Sequence, residues 1–223
     1  SALALPGPET WDDPFTLEVL LLRRRGFDLA LLIQDTPDNR ACLPSILLAL
    51  DQVRAVFPRL RLACVVYDPS GLNTLDFGIE PSSVASALAA PAAPPPAGAA
   101  ASGLAAAITR AAGLAWSPKA ASVVLILAAD APWVAEIPPI WDTARDMAAR
   151  RGTRTAWASL TLAPGAPPPG EASRLTTSSS VLFLPLHSPS QLGAELLRLV
   201  LGDGRVKDIE RICRVTAENT RNP

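Results

Sequence analysis

Three apolar runs of strand length constrain this chain more than any other feature. Residues 27–34 (FDLALLIQ), 60–67 (LRLACVVY) and 121–128 (ASVVLILA) are almost continuously hydrophobic. A strand that reads this way, without alternation of polar and apolar side chains, is buried on both faces, as in a parallel sheet covered by helices. Helical periodicity fills the intervals. Residues 41–57 put Leu43, Leu47, Leu50, Val53 and Phe57 on one stripe, which Pro58 stops. Residues 81–89 read as a weak helix, and residues 103–112 and 139–151 as firmer ones, the last closed by Gly152. After the Pro69-Ser70-Gly71 turn, residues 72–78 read as a short antiparallel return beside the second strand. Residues 153–162 (TRTAWASLTL) alternate as a strand exposed on one side does. Residues 180–186 (SVLFLPL) form a last strand, in which Pro185 is admissible only at an edge or an end, and Ser188-Pro189 opens a helix running to Leu201. The expected architecture is an α/β, doubly wound, mostly parallel sheet of Rossmann-like type with helices on both faces and one antiparallel edge strand.

A chain of 223 residues can be one domain with a sizeable core. Residues 1–13 read as an arm, 14–204 as the domain and 205–223 as a polar helical tail set off by Gly202-Asp203-Gly204. Within the domain, residues 89–101 contain only Ala, Pro and Gly and are expected to be a loosely ordered connection. Apolar residues make up 49% and charged ones 18%, which excludes wholesale disorder. With 20 basic and 21 acidic residues, the net charge of -1 carries no whole-chain footprint for nucleic acid or an anionic membrane. Arg23, Arg24 and Arg25 are the local exception and read as a solvated helix end. No apolar run is long enough to span a bilayer, and no secretory signal is visible at the N-terminus. Cys42, Cys64 and Cys213, odd in number and widely spaced, fit neither a disulfide framework nor a zinc cluster. A reducing, intracellular compartment, the cytoplasm, is expected. The bare ends suggest a piece of a longer protein.

Ligands of doubly wound sheets sit at the carboxyl ends of the strands. That singles out Asp35, Asp68 and Asp130, each just after a strand. The segments Phe27-Asp28-Leu29 to Gln34-Asp35-Thr36, Phe57-Pro58-Arg59-Leu60 and Tyr67-Asp68 occur in an order that resembles the opening of a von Willebrand factor A (VWA) domain, particularly the type beside alpha-kinases. Gly103-Leu104, the Leu114-Ala115-Trp116-Ser117-Pro118 turn, residues 123–130 with Ala131-Pro132, and Leu184-Pro185-Leu186 continue that order, so the resemblance covers roughly residues 15–201.

The resemblance implies a divalent-ion site built from an Asp-x-Ser/Thr-x-Ser motif after the first strand, an oxygen ligand in a middle loop and an Asp after the central strand. Asp35 and Asp130 match its two ends. Pro37 and Asn39 stand where the hydroxyls belong, and no side-chain oxygen occurs from Pro91 to Ala101. Proline has no side-chain oxygen and fixes the backbone where the loop must wrap the ion. The expectation is therefore no cofactor and a disabled metal-ion-dependent adhesion site (MIDAS). The alternative is a weak Mg2+ site on Asp35, Asp38, Asn39 and Asp130 completed by waters. Without a metal, Asp35 would cap the following helix or pair with Arg40, and Asp130 would bond loop amides.

Enzyme signatures are missing. His187 is the single histidine and has no nucleophile turn beside it, and no glycine-rich phosphate loop occurs. The chain therefore reads as a non-catalytic protein-interaction or scaffold module, with a metal-dependent binding domain or the regulatory part of a larger enzyme as the other class. Its partner surface is placed at Pro132, Trp133, Ile137, Pro138 and Trp141, an apolar segment after the central strand on the family's ligand face.

Overall fold

The computed structural model describes residues 24, 26–90, 103–128, 137–160, 181–184 and 186–202. The N-terminal arm, the Ala/Pro connection, Asp130 with the loop around it, and the polar tail lie outside these residues. Six strands, β1 (Phe27–Gln34), β2 (Leu60–Asp68), β3 (Gly71–Ile79), β4 (Ala121–Leu127), β5 (Arg154–Ala158) and β6 (Val181–Phe183), form one sheet in the order β3-β2-β1-β4-β5-β6. Every pairing is parallel except β2 with β3. The helices are α1 (Pro37–Ala41), α2 (Leu43–Val56), α3 (Ser83–Ala89), α4 (Leu104–Ala112), α5 (Ile137–Arg151) and α6 (Leu192–Leu201), the last entered through a 3-10 turn at Pro189–Gln191.

The continuous apolar runs are explained by two cores. On one face Leu29, Leu31, Ile33, Leu125 and Leu127 pack in a cluster with Ile46, Leu50 and Val53 of α2 and Leu196 and Leu197 of α6. On the other, Ala30, Leu32, Val65, Val124 and Ile126 pack with Ile108 and Ala111 of α4 and Ala144 and Met147 of α5. Leu29, Leu31, Ile33, Val65, Val124, Leu125 and Ile126 are all fully buried.

Two sequence expectations need correction. The helix expected over 41–57 forms as α2, but its buried face is not the expected stripe, and a short helix absent from the sequence reading, α1, precedes it. Thr36 caps α1, its Oγ1 accepting from the Asn39 N–H at 3.1 Å, Pro37 starts it, and the backbone turns at Cys42 before α2 begins. The buried face of α2 centres on Ile46, Ala49, Leu50, Val53 and Val56, with Leu43 and Leu47 only partly buried. The strand expected to be exposed on one side is buried on both. In β5 only Arg154 is exposed, because β4 and β6 flank the strand while Trp157 enters one core and Ala156 and Ala158 the other. β6 stands at the edge of the sheet among the described residues, and Leu182 on it is 41% exposed.

α2 and α6 approach closely at Gly193. A Cβ there would collide with Gln52 Oε1 and lie 3.0 Å from the Cα of Ala49. Gly to Ala inside a helix ordinarily stabilises by about 1 kcal/mol. Here the sign is expected to reverse, Gly193→Ala costing about 1–2 kcal/mol through overpacking. Denaturant unfolding reads this directly, and a stabilised variant would show that the helices separate freely.

Cys42 and Cys64 are free thiols. Burial pushes the Cys64 thiol up to about 12, so it is protonated and unreactive at neutral pH.

Candidate functional site

The strand order creates one topological switch point. From β1 the chain moves to β2 and β3 on one side, then returns to place β4 on the other side of β1. A crevice therefore opens at the carboxyl ends of β1 and β4. Asp35 stands there, its backbone N–H donating to the Tyr67 carbonyl at 2.8 Å. Its carboxylate is taken by Arg40 in a two-pronged pair, Nε to Oδ1 at 2.6 Å and the second guanidinium nitrogen to Oδ2 at 2.7 Å. That hydrogen-bonded pairing raises the guanidinium pKa above its ordinary value. Of the roles open to Asp35, the ion pair with Arg40 is the one observed, while Thr36 supplies the helix cap.

Asn39 is fully buried beside it. Its side-chain N–H2 donates to the carbonyl of Gln34 at 2.8 Å and to that of Leu127 at 3.3 Å, stitching the end of β1 to the end of β4 across the crevice. Its Oδ1 is buried without a partner among the described residues. Asp38 is exposed on α1. Among the described residues no group of three or more His, Cys, Asp or Glu side chains is placed to hold a metal ion.

The remaining strand-end acid has a local role. Asp68 Oδ1 accepts from the Ser70 N–H and hydroxyl at 2.6 Å and from the Gly71 N–H at 2.9 Å, closing the β2–β3 turn. These bonds, the Ser70 hydroxyl foremost, hold its carboxyl below the usual carboxylate range. His187 is exposed, and its backbone N–H donates to Gln191 Oε1 at 2.9 Å. Asp130, Pro132 and Trp133 lie outside the described residues, as do the side chains of Ile137, Pro138 and Trp141, whose backbone forms the start of α5.

At the opposite end of the sheet lies an ion pair that sequence reasoning missed. Asp28, only 1% exposed, accepts two hydrogen bonds from Arg61 at 2.8 and 2.7 Å and one from the Ser117 N–H at 2.7 Å. Arg61 also donates to the Ala115 carbonyl and lies 4.8 Å over the Phe77 ring, which meets Trp116 edge-on. A signal was present, since Asp28 interrupts an apolar run and buried acids need partners. Its partner follows only from the β1–β2 register, in which Asp28 stands opposite Arg61.

No protein-family model and no curated protein matches the sequence. Solved structures do. The SpRpn10 VWA domain superposes with a TM-score of 0.50 at 10% identity, over 79% of this chain and 97% of that one. This chain has a VWA fold. The VWA assignment extends to the TFIIH p34 N-terminal domain (TM-score 0.50, 12% identity, 80% of this chain and 97% of that one). It extends also to proximal thread matrix protein 1 from the mussel byssus, solved with zinc in its MIDAS motif (TM-score 0.50, 14% identity, 79% of this chain). The chain spans 47% of the mussel protein's length.

Proposed function

We propose that this chain is a non-catalytic protein-interaction or scaffold module of VWA type, related to the domains found beside alpha-kinases, and that its metal site is disabled. The observation carrying this reading is the Arg40–Asp35 pair: the protein's own guanidinium occupies both oxygens of the acid that would anchor the ion. The other donors fit a hard cation poorly. Pro37 offers no side-chain oxygen where the motif has a hydroxyl, and the Asp38 carboxylate is exposed on α1. Mg2+ surrenders its waters reluctantly and is held by carboxylates whose charge is free to meet it, whereas the Asp35 charge is already met by Arg40. A module of this kind would act inside the cell through the apolar segment after β4, Pro132, Trp133, Ile137, Pro138 and Trp141. No helix among the described residues is long and apolar enough to cross a membrane.

One observation favours the second reading, a weak cation site on Asp35, Asp38, Asn39 and Asp130. The buried Asn39 Oδ1 has no partner among the described residues and is a hard oxygen donor. Calorimetric titration with Mg2+ and Mn2+, with melting measured with and without chelator, separates the two. The interaction-module reading expects no heat of binding and no melting shift. An ion present at about a hundred times its Kd would add about 2.7 kcal/mol of stability, so a response would be plain and would sink that reading.

The partner surface has its own test. Trp133→Ala is expected to weaken capture of a partner by about 2 kcal/mol while leaving the melting temperature unchanged, because large aromatics dominate interface energetics. Unaltered capture, or a variant that melts early, would mean that Trp133 serves packing alone.

A further inference from the structure

The amino-terminal edge of the sheet, opposite the Asp35 crevice, carries a pocket that the proposed function leaves unused. β1, β2 and β4 are parallel and all begin there. Arg24 and Gly26 precede β1, Arg59 precedes β2, Arg61 is the second residue of β2, and Ser117 and Ala120 precede β4. Together with Leu60 and Asp28 they line a cavity of about 300 Å³. The eight residues of β1, at about 3.3 Å each, put it roughly 25 Å from Asp35.

Among the described residues the charge around this cavity does not balance: three arginines and one aspartate line it. Asp28 is already spent: Arg61 occupies both its oxygens, and the Ser117 N–H adds a third bond. Arg24 and Arg59 form no ion pair among the described residues. The hydrogen bond between them runs from the Arg59 guanidinium to the Arg24 backbone carbonyl at 3.2 Å, which neutralises neither charge. Each guanidinium carries five N–H donors and no acceptor, so the two arginines offer a surplus of donors that only an anion or water can use.

Arg24 and Arg59 are themselves exposed, while the groups beside them are held in place. Arg61 is held by Asp28, by the Ala115 carbonyl and by the face of Phe77. The Ser117 backbone is held by Asp28, and the Ser117 hydroxyl accepts from the Lys119 N–H at 3.4 Å, leaving its own proton to donate. Gly26, at φ +81°, makes the turn that brings Arg24 beside Arg59.

We propose that this pocket binds a small phosphorylated molecule, its phosphate held between Arg24 and Arg59 with Ser117 as a neutral donor. A phosphate dianion matches two unneutralised guanidiniums in charge and presents oxygens that forked donors can grip from two sides. The cavity lies at the lower end of the size range of small-molecule sites. The chain's net charge of -1 gives no whole-chain basic excess for nucleic acid or a membrane, and the local one is confined to this arginine cluster.

The test is calorimetric titration of the full chain with inorganic phosphate and with pyrophosphate at constant ionic strength, chloride serving as the reference. Saturable binding is expected. Arg59→Gln and Arg24→Gln are each expected to weaken it at least about tenfold, since each removes one charge-assisted fork. Arg145→Gln, on the exposed surface of α5, should leave binding unchanged. Two pocket variants guard against one that fails to fold, and both avoid the Asp28–Arg61 pair. Absence of saturable binding would overturn the proposal, as would binding indifferent to both pocket variants or equally reduced by Arg145→Gln. A phosphoserine peptide that binds more tightly than pyrophosphate would overturn the small-molecule assignment.

Discussion

Replacing Arg61 with alanine is expected to destabilise the protein by about 3–5 kcal/mol, because it strands a buried charge. Asp28 is 1% exposed, and without Arg61 its carboxylate keeps only the Ser117 N–H. Arg61 itself is 41% exposed, so water entering the gap softens the loss and places it toward the lower end of that range. The variant also loses the guanidinium over Phe77, a contact that ties the β3 edge to the turn before β4 through Trp116. Arg61→Lys should fall between parent and alanine variant, since an ammonium restores charge and not the fork. In Asp28→Ala/Arg61→Ala the stranded carboxylate is gone, so the double variant should lose less than the two single losses added together. Urea unfolding measures all four. A loss below about 1 kcal/mol in Arg61→Ala would mean that the pair is no more than a solvated surface contact.

Leu125→Ala should cost about 2–5 kcal/mol. Leu125 is fully buried on β4, with Leu31 of β1 and Ala156 of β5 as its register neighbours. Its side chain belongs to the core shared with α2 and α6, where the packed surroundings can collapse only partly onto the vacated space. Leu182→Ala provides the internal contrast. The same chemical change on the edge strand β6, where the side chain is 41% exposed, should stay within about 0.5 kcal/mol. Equal losses at the two positions would contradict the placement of β4 at the centre and β6 at the edge.

The site divides in the same way between what was legible and what was not. The Asp35–Arg40 pair was among the roles foreseen for Asp35, because the two stand only five positions apart and opposite charges so near in sequence readily meet. The bridge from Asn39 to Leu127 spans 88 residues and was not foreseen. In the sequence reading Asn39 stood for an absent hydroxyl or as one ligand of a weak cation site, and nothing local announces a carbonyl on another strand. β5 misled for a different reason. Its alternation comes from threonines that are small enough to be buried, so a period of two appeared without an exposed face.

What the sequence determined by itself is the set of elements and their environment. The unbroken apolar runs of β1, β2 and β4 required cover on both faces, Pro58 marked the end of the helix after β1, and the turn after Tyr67 marked the antiparallel return of β3. Such features follow from periodicity, which records how each segment meets water. Only the tertiary structure decided that β4 lies beside β1, that Asn39 links their ends, and that Asp28 meets Arg61 beside Arg24 and Arg59. Strand order and register lie beyond periodicity because several arrangements of the same strands bury nearly the same apolar area. The choice among them rests on crossover handedness, on close approaches such as that at Gly193, and on whether each buried polar group finds its partner.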